Sequence, residues 1–338
     1  VLLRVDFLNV GQADCALLST NGHYMVIDGG NNGDADTILS YLEGQGVEKL
    51  DAVVGTHPHE DHIGSLDAII NHFDVDAVYM PKIMHTSKTF EDVLDAVANK
   101  GLKIKSPSPG DTIDFNGLEI EVLGPQREYK DFNNNSIVLK VNAGETAFLF
   151  TGDAEETAEK DILQAGYDLQ ADVLKVGHHG SSTSSSQAFL QAVKPKYAVI
   201  SVGVGNSYHH PEEEALQRLQ SIGAEIYRTD LQGNIVCTTD GKNIAFNCNS
   251  VSGTEVMQMR QKTTPLRRRL FISRTRNRRN FIWKAVPPCR MRKTVFILRT
   301  ERKPFPLAIR PAAPASHKQA GASHRSREKR SGRICLLS

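Results

Sequence analysis

The stretch Thr56-His57-Pro58-His59-Glu60-Asp61-His62 constrains this chain more than any other. It follows the apolar run Leu50-Asp51-Ala52-Val53-Val54-Gly55, which reads as a buried strand, and it leads into a helical period. Side chains two apart on a strand point to one side, so His57 and His59 reach one ion. Asp61 and His62 open the following helix and reach a second. Zinc and its neighbours take this mixture of imidazole and carboxylate donors in tetrahedral or five-coordinate geometry. Histidines also gather by chance near helix starts, where Asp serves as an N-cap. Ligand type, spacing and strand-loop-helix context together favour a metal site.

The first motif sits in an alternating series. Strands are expected over 1–9, 15–18 and 24–27, the last ending at Asp28-Gly29-Gly30, where Asp28 either supports a metal ligand or closes an Asx-turn. A helix over 36–44 precedes the strand at Val53-Val54. After the histidines, Ile63, Leu66, Ile69 and Ile70 recur at helical spacing to Phe73, followed by a strand at 77–80 and a helix over 90–100. A second series begins with two strands around Asn116-Gly117, a hairpin signal. Strands over 136–141 and 146–150 follow, and the second ends at Thr151-Gly152-Asp153. The strand 171–176 delivers Gly177-His178-His179-Gly180-Ser181-Ser182, and the strand 197–202 leads to Asn206-Ser207-Tyr208-His209-His210-Pro211. Pro211 suits the first position of a helix over 212–221, with His210 as its N-cap. Three strand ends therefore present Asp153 and two histidine pairs, where α/β folds place their chemistry. Each could be a cap or surface residue by itself, but together with the first motif they read as one joint site.

Charge divides the 338 residues. Residues 251–338 carry 23 Lys and Arg against 3 Asp and Glu, leaving 17 basic and 36 acidic side chains in residues 1–250. The strand and helix signals stop near Asn249, so a boundary is expected there, with residues 1–250 as one domain and 251–338 as a basic, disordered extension. A basic arm for nucleic acid is the functional alternative, although its aromatics are too irregularly placed for stacking platforms. The five cysteines form no C-x-x-C pair and read as incidental thiols. No stretch of about eighteen apolar residues is present. The chain starts at Val1 without Met, as expected of a fragment or a processed start.

The segments Asn9-Val10-Gly11-Gln12-Ala13-Asp14, Thr56 to His62, Thr151-Gly152-Asp153, Lys175 to Ser182 and Tyr208-His209-His210-Pro211 resemble the metallo-β-lactamase-fold hydrolases. Within these, they are similar to the branch of the ComEC/Rec2 competence proteins and the phosphorylcholine esterases. The resemblance covers roughly residues 1–247. It implies an αβ/βα sandwich, two mixed sheets face to face with helices outside, in keeping with the two successive series. It also implies two divalent ions, zinc or manganese, at the sandwich edge. By motif, His57 and His59 bind one ion, Asp61 and His62 the other, and Asp153 bridges. The family histidine that usually precedes the bridging Asp is missing, since Asn133-Asn134-Asn135 stand there. The His-His-Gly motif looks like its replacement, with His179 as ligand and His178 facing substrate, and His210 completes the second site. An extracellular or cell-surface location is also implied.

The chemistry implied is hydrolysis at a two-metal centre. Asp61 orients the attacking hydroxide as well as binding metal, and His178 stabilises charge or protonates the leaving oxygen. Ser181, Ser182 and Asn206 are the substrate-binding candidates. The expected substrate is a phosphodiester, DNA by analogy with the competence proteins. The acidic body argues against a broad duplex-binding face. A small phosphodiester such as a phosphorylcholine ester is the alternative within the enzymes, and a non-enzymatic DNA-uptake or binding module the alternative outside them.

Overall fold

In the structure, a computed structural model, the described residues are 2–251. The basic extension lies outside them from residue 252 onward. Among the described residues, two sheets form the framework. The first takes eight strands in the spatial order Ile244–Phe246, Ile235–Thr239, Leu3–Phe7, Ala16–Thr20, His23–Ile27, Ala52–Val54, Val78–Tyr79 and Ile104–Lys105. The second takes seven, in the order Glu225–Arg228, Tyr197–Ile200, Val173–Lys175, Thr146–Phe150, Val138–Ala143, Leu118–Gly124 and Thr112–Phe115. Each sheet is antiparallel in one part and parallel in the other.

Strand periodicity explains the layering. Met25 and Ile27 join Phe7, Val54, Phe148 and Phe150 in the apolar cluster shared by the two sheets. Val26, between them in sequence, turns to the opposite face and packs with Ile38, Leu42, Leu66 and Ile69 of the helices. In the second sheet Leu149 and Leu174 do the same, meeting Ile162, Phe189, Leu190 and Leu219. Helices thus cover both outer faces, which is the αβ/βα sandwich. The Asn116-Gly117 turn joins Phe115 to Leu118 as a two-residue hairpin with both central residues at positive φ, +51° and +82°. Among the described residues, no helix is long and apolar enough to cross a membrane.

Two helical expectations are corrected. The apolar period after the histidines is broken into Glu60–Ile63 and Leu66–His72. At the break the amides of Gly64 and Ser65 turn away to the carbonyls of Gly30 and Gly29, 2.8 and 3.0 Å away. Only glycine fits there, because a Cβ on Gly64 would lie 2.2 Å from the Asn31 carbonyl carbon. The later helix is Glu213–Ser221 with Glu212, not His210, as its N-cap. Glu212 keeps extended backbone, and its carboxylate accepts from the Ser182 amide and hydroxyl at 2.9 and 3.0 Å.

Candidate metal centre

The strand Ala52–Val54 ends at Thr56, whose amide and hydroxyl both donate to the buried Asp28 carboxylate at 2.8 Å. This fixes the loop that carries His57 and His59. His57 is fully buried, and its Nε2 stands 3.0 Å from His59 Nδ1. Two nitrogens about 2.0–2.1 Å from a tetrahedral ion are separated by roughly 3.3 Å, so this pair matches a shared cation. Burial, reinforced by neighbouring His62, lowers the His57 pKa well below its ordinary value, and burial also lowers that of His59. Both shifts favour the neutral ring, the form that binds a metal.

Asp61 and His62 lie in the short helix begun at His59, where sequence placed them. His62 Nδ1 lies 2.8 Å from Asp28 Oδ2, and its Nε2 points at Asp153 Oδ1, 3.2 Å away. Both His62 Nε2 and Asp153 Oδ1 are buried without a hydrogen-bond partner. Unsatisfied buried groups are costly, and facing ligand atoms of this type are what a cation would satisfy. Asp153 itself is positioned by Gly152 at φ +51°, where a Cβ would lie 2.9 Å from Ser136. The Asp153 amide donates to the Ser136 hydroxyl at 3.0 Å.

The strand Val173–Lys175 feeds His178 and His179, both at positive φ, +50° and +53°. Strain of this kind in residues other than glycine gathers at functional sites. His179 is buried, with Nδ1 3.0 Å from the Ser201 carbonyl and 3.2 Å from Asp14 Oδ1. That arrangement leaves Nε2 facing Asp61 Oδ2 at 3.3 Å and Asp153 Oδ2 at 3.9 Å, the orientation expected of a ligating histidine. Burial acts to lower the pKa of His179, but Asp14 and Asp153 outweigh it and carry it to about 10. His62 is likewise raised, burial being overcome by Asp153 and Asp28. Burial acts to raise the Asp61 pKa, but hydrogen bonding to His179 and the charge of His62 hold it down at about 2. Carboxylates that draw protons onto two buried imidazoles would hold a cation there as well.

Asp61, His62, Asp153 and His179 thus offer ligand atoms all within 4.8 Å of one another. His57 Nε2 approaches the same Asp153, 3.9 Å from Oδ2. His210 stands apart, its ring 6.5 Å from that of His179, with Nδ1 3.5 Å from Gln12 Nε2 and Nε2 3.8 Å from Glu212. His178 sits at the edge, Nδ1 3.4 Å from Glu155 and Nε2 3.7 Å from Asp153. A cleft of about 510 Å³ opens over these groups, lined by Gln12, Asn31, His59, Glu60, Asp61, Asn133, Asp153, His178, His179, Tyr208 and His210.

The three residues expected to touch substrate are engaged elsewhere. Ser181 and Ser182 bond to Glu212, and Asn206 clamps the backbone of its own loop at Gly203 and His210. Three residues of the site went unassigned or undecided from sequence. Asp28 anchors Thr56 and His62, and Asp14 forms a buried pair with Lys175 at 2.6 Å behind His179. A lysine inside the apolar strand Val173-Leu174-Lys175-Val176 was the available signal, since buried lysines need a partner.

Residues 8–204 match the model of the metallo-beta-lactamase superfamily. Among curated proteins, ComE operon protein 3 of Bacillus subtilis is 32% identical over 251 residues, covering 69% of this chain and 32% of that protein. Competence protein ComA of Neisseria gonorrhoeae is 33% identical over 232 residues, covering 68% of this chain and 31% of its own length. The chain thus spans about a third of the length of these relatives. Among solved structures, the metallo-beta-lactamase fold protein YhfI from Bacillus subtilis is 10% identical, with a TM-score of 0.49 over 72% of this chain and 99% of that one. With the family model matched over more than half of its length, the chain belongs to the metallo-beta-lactamase superfamily, as a metal-dependent hydrolase of the branch that holds the competence proteins.

Proposed function

We propose that the chain is a two-metal phosphodiesterase acting on nucleic acid, with DNA as the substrate suggested by the competence relatives. The observation that carries this reading is the convergence on one buried carboxylate, Asp153, of His57 and His179 at Oδ2 and His62 at Oδ1, with His59 3.0 Å from His57 and Asp61 3.3 Å from His179. Zinc or manganese ions there would supply a Lewis-acidic grip on a phosphoryl oxygen and lower the pKa of an attacking water. The protein's own contribution is orientation. Asp28 and the Ser201 carbonyl fix the rings of His62 and His179, and Asp61 presents an ionised carboxylate that accepts a hydrogen bond from the attacking water. Glu155 holds His178 Nδ1 so that Nε2 faces the cleft, where it donates to the leaving oxygen. His210 lines the same cleft, its ring 5.5 Å from that of His178, and would complete the second site.

A small phosphodiester is the second reading, favoured by the absence of Lys and Arg among the described residues lining the cleft. Turnover of single-stranded DNA and of bis(p-nitrophenyl) phosphate by the full chain, loaded separately with zinc and manganese, distinguishes them, with Asp61→Ala as control. DNA cleavage that is lost in the control supports the nuclease. Cleavage of the small diester alone moves the reading to an esterase. Bound metal without turnover of either would leave a DNA-binding module.

A further inference from the structure

The large apolar side chains exposed among the described residues are Met84, Val204 and Tyr208, at 75, 79 and 67%. Their positions are not scattered. Val204 and Tyr208 belong to the loop that carries His210, and Tyr208 lines the metal cleft with its ring stacked on His210, centroids 5.7 Å apart and planes 27° apart. Met84 precedes His85, whose ring stands 6.5 Å from His59 and 4.6 Å from Phe132. Phe132 in turn lies 5.8 Å from His59. Of the three exposed side chains, Tyr208 lines the cleft itself, and Met84 adjoins the His85–Phe132 pair beside His59. Exposed apolar side chains gathered beside a polar cleft mark a binding surface.

The loop under Tyr208 is already ordered. Asn206 donates to the Gly203 and His210 carbonyls at 3.0 and 2.7 Å and accepts from the His210 amide at 3.0 Å. Little conformational freedom is left for a ligand to remove.

Charge decides what the ligand presents. A protein that follows duplex DNA takes its affinity from Lys and Arg on phosphates. Residues 1–250 hold 17 basic against 36 acidic side chains, and neither Lys nor Arg is among the described residues lining the cleft. Within the cleft, grip beyond the phosphate held at the metal site then falls to the bases. In a duplex each base face is covered by its neighbours, whereas an unpaired base offers a face to an aromatic ring.

We propose that Tyr208, backed by His210, is a stacking platform for an unpaired nucleobase beside the scissile phosphate, so that this site takes single-stranded nucleic acid. The inference rests on the phosphodiesterase reading above and adds the strand class and the residue that selects it.

The test compares three ligands on the full chain loaded with manganese or zinc. They are a short single strand containing 2-aminopurine, the same backbone with abasic sites, and the same sequence as a duplex. The phosphates of the first two are identical, so contacts made by the basic extension cancel in their comparison. Wild type is expected to quench 2-aminopurine fluorescence on binding and to cleave the base-bearing strand in preference to the other two. Tyr208→Ala is expected to reduce the ratio of kcat/KM for base-bearing over abasic strands by roughly 5- to 150-fold, the scale of one lost base–aromatic stack, and to lose the quench. Tyr208→Trp is expected to keep both.

An unchanged ratio in Tyr208→Ala, or faster cleavage of the duplex, overturns the platform and leaves the phosphodiesterase reading standing. If no strand is cut, that reading fails and the quench decides the platform as a binding site. A quench lost in Tyr208→Ala would support it, and a quench that persists there, or is absent in wild type, would overturn it.

Discussion

Replacing Lys175 by Met isolates the pair behind the metal centre. Lys175 and Asp14 are each about 5% exposed, and Nζ lies 2.6 Å from Asp14 Oδ2. Its other hydrogen bond goes to the Val176 carbonyl at 3.0 Å. Burial acts to raise the Asp14 pKa, yet the Lys175 and His179 charges outweigh it and hold this carboxylate well below its usual range. Met keeps the length of the stem and removes the charge, so Asp14 is left buried with the imidazoles of His179 and His62, 3.2 and 3.9 Å away, in place of the ammonium. Removing one partner of a buried pair costs about 3–5 kcal/mol, whereas replacing both is often neutral. Lys175→Met should therefore lose about 3–5 kcal/mol in urea unfolding of the chelated chain, and Asp14→Leu/Lys175→Met should recover most of it. The sign with pH also follows. A depressed Asp14 contributes stability above its unfolded value of about 3.9, and that contribution is lost as pH falls through the folded value. Without Lys175 the folded value rises, so the onset of acid unfolding moves to higher pH. Since Asp14 helps to hold His179 Nδ1, zinc affinity should fall about 10- to 100-fold. A loss under about 1 kcal/mol, or a double variant no more stable than the single one, would refute the reasoning.

Three further outcomes are expected. Gly64→Ala sets a Cβ 2.2 and 2.3 Å from backbone atoms of Asn31 and Asn32, and should cost about 1–3 kcal/mol or more in thermal melting while weakening metal binding through Asp61 and His62; an unchanged melt contradicts this. Glu159 accepts from the Ser185 and Ser186 amides at 2.5 and 2.9 Å, so Glu159→Ala should cost about 1–3 kcal/mol and Glu159→Gln less. Burial raises the Glu159 pKa, so its stabilising contribution is complete below about 4.3 and declines as pH rises through the folded value; a wild type-to-Gln difference that grows with pH refutes the sign. Zinc at one hundred times the Kd of each site should stabilise the chelated chain by about 2.7 kcal/mol per ion, with the share of the Asp61–His62 site lost in His62→Ala.

What could be read from sequence was local. The apolar strands ending in histidines and aspartates announced the edge of the sandwich, because each motif sits directly after its own apolar run. The Asn116-Gly117 hairpin was readable for the same reason, its turn chemistry being contained in two residues. Non-local pairing was hidden. The strand Ile235–Thr239 was not assigned, although it closes the first sheet against Leu3–Phe7 from the far end of the described chain. Lys175 and Asp14 lie in different motifs of the sequence, and their pairing depends on the two sheets being stacked. The break at Gly64 was hidden too, because the apolar spacing continues through it while the hydrogen bonds do not. Ser181 and Ser182 were candidates for binding substrate, and only the folded chain brings Glu212 within their reach.

The two-ion claim is tested most directly by titrating zinc or manganese into the chelated full chain while bound metal and phosphodiester hydrolysis are followed together. The account predicts two ions per chain, with turnover rising on the second equivalent and Asp153→Ala losing tight binding of both. Saturation at one ion with full turnover, or two tightly bound ions in Asp153→Ala, would contradict the shared carboxylate on which the proposal stands.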